Sequence, residues 1–331
     1  MRFLVTAIGS MSAECVIKQL KKDGHFVVGC DIYPGEWHYE TILCDRFTRA
    51  PQATEEKEYI KFLTDVCKNN GLKFIIPLTD LEIDVINRHR QKFDECHIVL
   101  CMQSAEVLSL ARDKYKLSIA FINDANVPSV RTCLVTKLPS DFTFPCIAKL
   151  YNGRSSEGLL RNATYEQLMA IEEKDNYIVQ EQLDGNVFTV DYCRYGKTGR
   201  DVAIPRQELL RTKNGAGLTI QTTSDKSLIK LVSYIGKKLN INGCVNLEFI
   251  LNNGKYYLID INPRFSAGVA FSVLLGYDMV INHIRCFINM DIDKQIPLTK
   301  KIILKKYQEV IIDNQHDTNY YSCQNLLKIK Q

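Results

Sequence analysis

Val245-Asn246-Leu247-Glu248-Phe249 and Tyr257-Leu258-Ile259-Asp260-Ile261-Asn262-Pro263-Arg264 decide the reading of this chain. Two short apolar runs flank Asn252-Asn253-Gly254, a tight-turn sequence, so the pair reads as a β-hairpin. The hairpin brings Glu248 near Asp260 and Asn262, with Arg264 just beyond. Asp260 and Asn262 are two positions apart, which puts them on one face of an extended strand. Two carboxylates and a carboxamide can surround a hard divalent cation that arrives with substrate phosphates. An arginine adds a planar fork for oxyanions. The plain alternative is a polar hairpin end at which Asn-Pro merely stops a strand.

Working outward, Phe3 to Ile8 reads as a buried parallel strand, Gly9-Ser10-Met11-Ser12 as a turn, and Ala13 to Asp23 as a helix with Val16, Ile17 and Leu20 at helical spacing. Phe26 to Cys30 is a second strand ending at Asp31. This strand–turn–helix–strand unit opens a doubly wound α/β domain. One glycine in the first turn, where a dinucleotide fingerprint needs three, argues against NAD. Tyr59 to Asn69 reads as a helix, Phe74 to Pro77 as a strand, and His97 to Cys101 as the last strand. Asp80 and Glu82 follow the Phe74 strand at the ligand-binding edge of such a sheet, or are first-turn acids suited to a helix dipole.

After Pro128 the pattern changes. Phe144 to Lys149 is a strand ending in lysine, followed by the small-residue loop Tyr151-Asn152-Gly153-Arg154-Ser155-Ser156-Glu157-Gly158. Such a loop can offer amides to phosphate beside Lys149, although it lacks the Gly-Lys-Ser/Thr ending of a Walker loop; a polar hairpin turn is the plain alternative. Tyr165 to Glu173 reads as a helix, Tyr177 to Leu183 and Phe188 to Tyr192 as strands, Lys226 to Leu239 and Met279 to Phe287 as helices, and Ile302 to Ile312 as strands.

The whole-chain numbers set the frame. At 331 residues, with 46% hydrophobic and 24% charged residues, two or three soluble domains are expected. A formal charge of +4 is too small to imply a nucleic-acid partner, and the run Lys300, Lys301, Lys305, Lys306 reads as a solvated face. Twelve cysteines are scattered without a Cys-x-x-Cys pair; Cys30, Cys96, Cys133 and Cys244 lie in apolar, strand-like sequence, as free thiols in a reducing cytosol do. No apolar run suits a signal peptide or a membrane span, so a cytoplasmic protein is expected, with a homodimer as the default assembly.

With Lys114, Lys149, the loop to Gly158, Gln180-Glu181-Gln182-Leu183, Glu248 and Asp260-Ile261-Asn262-Pro263-Arg264 in this order, the chain resembles the ATP-grasp superfamily. It is similar above all to the branch of carbamoyl-phosphate-synthase-like proteins and carboxylate–amine ligases. The resemblance spans the chain and implies an α/β, doubly wound pre-ATP-grasp domain (1–103), a linker helix and lid (104–185) and a catalytic domain (186–331). It implies ATP and one or two Mg ions as cofactors. Lys114 and Lys149 would contact phosphates, with Ser155, Ser156 and Gly158 in the loop over them. Gln180, Glu181 and Leu183 would hold adenine. Glu248, Asp260 and Asn262 would bind metal; Arg206 and Arg264 would orient the transferred phosphate or acyl phosphate, with Arg211 as a helper.

Substrate contacts would come from Ser10, Ser12, Asp80 and Ser266. The implied reaction is ADP-forming ligation of a small carboxylate to an amine through an acyl phosphate. Phosphorylation of bicarbonate or carbamate, and a non-catalytic nucleotide-binding scaffold, are the alternatives. Two departures stand out. Val187 occupies the place of a glutamate that holds ribose, with Asp184 and Asn186 as neighbours, and Asp260 stands where glutamate is frequent.

Overall fold

Apolar runs that are buried on both faces belong in a parallel sheet with helices on either side. The computed structural model, which describes residues 1–153 and 157–311, begins with such a sheet. Strand β1 (Arg2–Val5) leads to α1 (Ala13–Lys22), β2 (Phe26–Asp31) and β3 (Arg46–Arg49). Then come α2 (Glu56–Asn70), β4 (Phe74–Ile76), α3 (Asp80–Arg88), α4 (Arg90–Glu95) and β5 (Val99–Leu100). All pairings are parallel in the order β3-β2-β1-β4-β5. The strand order reverses between β1 and β4, so the loops after these two strands flank the crevice where such sheets take ligands.

The chain then builds a second compact unit, 104–263 with 294–305. Helices α5 (Ala105–Ala111) and α6 (Lys114–Phe121) precede β6 (Thr132–Leu134), β7 (Cys146–Leu150), β8 (Leu160–Ala163), α7 (Tyr165–Met169) and β9 (Tyr177–Glu181). The four strands form an antiparallel sheet in the order β6-β9-β7-β8. Next are β10 (Asn186–Arg194), β11 (Asp201–Arg211), β12 (Gly217–Thr222), α8 (Lys226–Lys238), β13 (Gly243–Asn252) and β14 (Lys255–Asn262). The chain returns to the first unit with α9 (Val269–Leu274) and α10 (Met279–Phe287), and β15 (Ile302–Leu304) closes the larger sheet, ordered β14-β13-β10-β11-β12-β15.

The amphipathic α8 belongs to one core with Phe188, Val190, Tyr192, Leu247 and Phe249 on one face of that sheet. Gly236 lets α8 approach, since a Cβ there would lie 2.3 Å from the Tyr192 ring. Period-2 alternation then leaves the opposite face for polar residues.

The β13–β14 hairpin turns at Asn253 and Gly254, with φ of +46° and +74°, the consecutive left-handed residues of a two-residue hairpin turn. Several expected ends differ. The helix expected to Glu173 stops at Met169, because Ala170 is already the C-cap. Of Ile302 to Ile312, only Ile302–Leu304 pairs; Lys305 to Ile311 carries no strand, and residue 312 lies outside the described residues. Cys96 is an exposed helix C-cap residue and not a strand thiol. Asp80 and Glu82 do sit in the first turn of α3. Among the described residues no helix is long and apolar enough to cross a membrane.

Candidate functional site

Strand register builds the site. Glu248 pairs directly with Asp260 and Asn246 with Asn262; across β10, Thr189 faces Glu248 and Asp191 faces Asn246; on β11, Arg206 faces Thr189. Asp260, Glu248, Thr189 and Arg206 thus form one transverse row on the polar face, with Asn262, Asn246 and Asp191 in the row beside it. With strands about 4.8 Å apart, Arg206 lies about 10 Å along the row from Glu248.

A bulge makes this arrangement possible. Register slips between Glu248 and Phe249, so Phe249 pairs with Leu258 and Ile259 is the extra residue. Tyr256 and Leu258 therefore stay in the core while Asp260, two residues on, turns to the polar face opposite Glu248. Without the bulge, alternation would send Asp260 and Leu258 to the same side.

Two lysines meet these carboxylates. Lys114 opens α6, whose N-cap Asp113 accepts the Lys116 amide, and its ammonium donates to the Gly153 carbonyl at 2.8 Å and lies 3.7 Å from Asp260. Lys149, on β7, is 9% exposed. Burial pushes its ammonium down to about 8; Lys114 adds to the drop, and Asp260 and Glu248 oppose it. A cation held this dry binds an arriving phosphate more strongly than a solvated one.

The arginines are tied into the face. Arg206, 3% exposed, donates from Nη1 to Asp191 at 2.8 Å and from Nε to Glu208 Oε1 at 3.2 Å. Burial works against its charge, but Asp191 and Glu208 more than offset that and hold it protonated. Asn246 donates to the other Asp191 oxygen at 3.1 Å, and the Thr189 hydroxyl donates to Glu208 Oε1. Glu208 Oε2 is buried and has no hydrogen-bond donor among the described residues. Arg211 forks onto Glu248 through two bonds, at 3.1 and 2.9 Å.

Asp191, Glu208, Thr189 and Asn246 join this site although no motif in the sequence marks them. Their signal was present as period-2 alternation in Thr189-Val190-Asp191 and Asn246-Leu247-Glu248, whereas Arg206-Gln207-Glu208 is polar throughout and gives none.

On β9 the Gln180 side chain is buried and donates to Thr132 Oγ1 at 2.9 Å, and its backbone is paired between Thr132 of β6 and Ile147 of β7. The Glu181 carboxylate lies 3.7 Å from Arg131, and Leu183 is half-buried just past the strand. Gly158 has φ +63°, and a Cβ there would lie 2.4 Å from the Tyr177 hydroxyl. Ser155 and Ser156 lie outside the described residues. Val187 pairs with Ile250 and alternates with Thr189 and Asp191, which places an apolar side chain on the site face.

Arg264 and Ser266 group with the first unit, the division falling between Pro263 and Arg264. Both Asp80 oxygens accept from Arg264, at 3.0 and 3.1 Å. Ser266 Oγ accepts the Gly268 amide, and the Ser10 and Ser12 hydroxyls are 3.4 Å apart after β1. Asp31 accepts the Gly9 and Tyr33 amides, so this acid braces the first turn. Gly9 packs closely under His38, since a Cβ there would come within 2.4 Å of the His38 ring and the ring would have to shift.

Comparison with known proteins gives the class. Residues 111–268 match the ATP-grasp domain model and residues 7–101 the PylC-like N-terminal domain model. The chain belongs to the ATP-grasp superfamily. It is 23% identical over 201 residues to the carbamoyl phosphate synthase large chain of Clostridium acetobutylicum, covering 54% of this chain and 18% of that protein. The chain thus spans under a fifth of that relative's length.

Among solved structures, the biotin carboxylase domain of Hydrogenobacter thermophilus 2-oxoglutarate carboxylase, a dimer in complex with MgADP, ADP and bicarbonate, superposes with a TM-score of 0.73. Its identity is 17%, over 88% of this chain and 71% of that one. The L-amino acid ligase of Bacillus licheniformis gives a TM-score of 0.68 at 13% identity, over 86% and 73% of the two chains. At these identities the likeness shows the fold.

The donor set fits magnesium. Glu248, Asp260 and Asn262 supply hard oxygen donors on one face. Among the described residues no cluster of three or more acids, histidines or cysteines could hold a metal ion. Such a site suits an ion that brings its remaining ligands as water and phosphate.

Proposed function

We propose that this protein joins a small carboxylate to an amine, with ATP converted to ADP and phosphate through an acyl phosphate. The observation that carries this reading is the paired Glu248 and Asp260 facing two lysines, one of them buried, within an ATP-grasp domain. A carboxylate resists attack by an amine because its leaving group would be oxide. Transfer of the γ-phosphoryl group to it creates a good leaving group, and the protein's task is to position and neutralise charge during that transfer.

Lys149 and Lys114 hold phosphate oxygens, and the segment from Gln180 to Leu183 holds the base. Glu248, Asp260 and Asn262 would hold Mg, which when bound would neutralise phosphate charge. Arg206, held in place by Asp191 and Glu208, orients the transferred phosphate or acyl phosphate. Arg264 orients the acyl phosphate. Ser10, Ser12, Asp80 and Ser266 contact the substrates. The division into pre-ATP-grasp domain, lid and catalytic domain at 103 and 185, and a homodimer, complete this reading; the Hydrogenobacter relative is a dimer.

That relative's complex with bicarbonate supports a second reading, in which bicarbonate is the acid that is phosphorylated. Incubation with Mg-ATP and a panel of carboxylates, bicarbonate among them, each paired with amines, tests both. ADP and phosphate released only with one acid–amine pair, with hydroxylamine trapping a hydroxamate, is the expected result. AMP and pyrophosphate, or ADP release that no acid stimulates, refutes the ligase reading.

A further inference from the structure

Glu248 has both oxygens engaged by one guanidinium. Arg211 places Nη1 3.1 Å from Oε1 and Nη2 2.9 Å from Oε2, and its Nε donates to the Gly215 carbonyl at 2.8 Å. Both side chains are about four-fifths buried, at 23% and 21% exposure. Arg211 stands where β11 leaves its register with β12, with shifts between Glu208 and Leu210 and between Leu210 and Arg211. It leads directly into the turn 212–216. That turn is closed by the Thr212 amide on the Ala216 carbonyl (2.8 Å), the Gly215 amide on the Thr212 carbonyl (3.0 Å) and the Ala216 amide on Thr212 Oγ1 (3.0 Å). Gly215 has φ +88°, and a Cβ there would lie 3.2 Å from Arg211 Nη2, so the guanidinium packs on its own turn.

A magnesium ion needs a carboxylate oxygen at about 2.0–2.1 Å. It would also bring two positive charges within a few ångström of the guanidinium. A bidentate fork and a metal ion therefore compete for Glu248. The irregular end of β11 and the short turn after it give Arg211 a segment that can shift without unpairing β10 from β13.

We propose, resting on the reading that Glu248 takes the metal brought by the nucleotide, that Arg211 is an exchange switch. It occupies Glu248 until a metal–nucleotide complex arrives and then transfers its fork to a phosphoryl oxygen of that complex. Bare metal is disfavoured, and metal and nucleotide bind with positive coupling. Carboxylate and phosphate suit the same planar fork, so the exchange replaces one bidentate pair by another.

The test measures Mn2+ affinity by electron paramagnetic resonance, alone and with ADP, in the full chain and in R211K, R211M and E248Q. R211M is expected to bind bare Mn2+ about tenfold more tightly without a matching gain for Mn-ADP, so that the coupling shrinks about tenfold. R211K, which keeps the charge and loses the fork, falls between R211M and the unaltered protein. Equal shifts in bare and ADP-bound Mn2+, R211K identical to the unaltered protein, or no shift at all overturns the switch. Mn-ADP affinity unchanged in E248Q instead removes Glu248 from the metal site. ADP release by an acid–amine pair stands apart from both, so the switch can fail while the ligase reading holds.

Discussion

Replacing Lys149 with methionine should stabilise the free protein while disabling it. The Lys149 ammonium is buried, and burial lowers its pKa from 10.5 to about 8 against the pull of Asp260 and Glu248. At about 1.4 kcal/mol per pH unit, the fall from 10.5 to about 8 makes the charged form cost the fold roughly 3 kcal/mol. The sign follows from proton counting. Between about 8 and 10.5 the unfolded chain holds a proton on this lysine that the folded chain has lost, so stability rises with pH through that window. Below about 8 the full cost is present.

K149M removes the cost at neutral pH and should raise Tm by about 6–12 °C, at about 2–4 °C per kcal/mol. The gain should shrink as pH approaches 10.5. The same variant should weaken Mg-ADP binding about 10-fold to 150-fold through loss of a charge-assisted phosphate contact. Paired thermal melts at several pH values, with calorimetric ADP titrations, measure both. A Tm at pH 7 equal to or below that of the unaltered protein, or a difference that does not vary between pH 7 and 10, would refute the argument that the lysine is held dry for its ligand.

Three further outcomes follow from the packing. R206M leaves Asp191 and Glu208 buried without their cation and should cost about 3–5 kcal/mol in urea unfolding; a loss under 1 kcal/mol would mean the pairs are solvated. His283 is buried between Phe265 and Phe287, donates to the Cys101 carbonyl, and is pushed by burial down to about 4. The neutral ring is favoured by folding, so stability should fall as pH drops from about 6.5 to about 4, and H283F should flatten that part of the acid-unfolding profile. G185A should destabilise by about 1–3 kcal/mol, because its Cβ would lie 2.1 Å from the Leu251 carbonyl oxygen, which is backbone and cannot rotate aside; unchanged melting would contradict the close approach.

The hairpin from Val245 to Asn262 and the opening strand–turn–helix–strand unit were legible in the sequence because their signals are local. Asn253-Gly254 encodes its own turn, and alternation over five residues encodes a face. That Glu248, Asp260 and Asn262 share a face needed only the turn and period 2. The helix over Asp80 and Glu82 was ambiguous in sequence, since acids suit both a ligand loop and a helix N-terminus.

Local signals along the chain established the kind of element in each stretch and the chemistry those elements could present. Tertiary structure decided which charges meet. The register of β10 against β11 and β13 joins residues 15 and 55 positions apart into the Arg206–Asp191–Asn246 group. The Arg264–Asp80 pair spans 184 positions. Only the bulge at Ile259 turns Asp260 away from the core, and only the irregular end of β11 puts Arg211 onto Glu248. Local propensity acts over a few residues, whereas ion-pair energies fall off over ångströms in space, so the partners of a buried charge are written only when the strands are laid side by side.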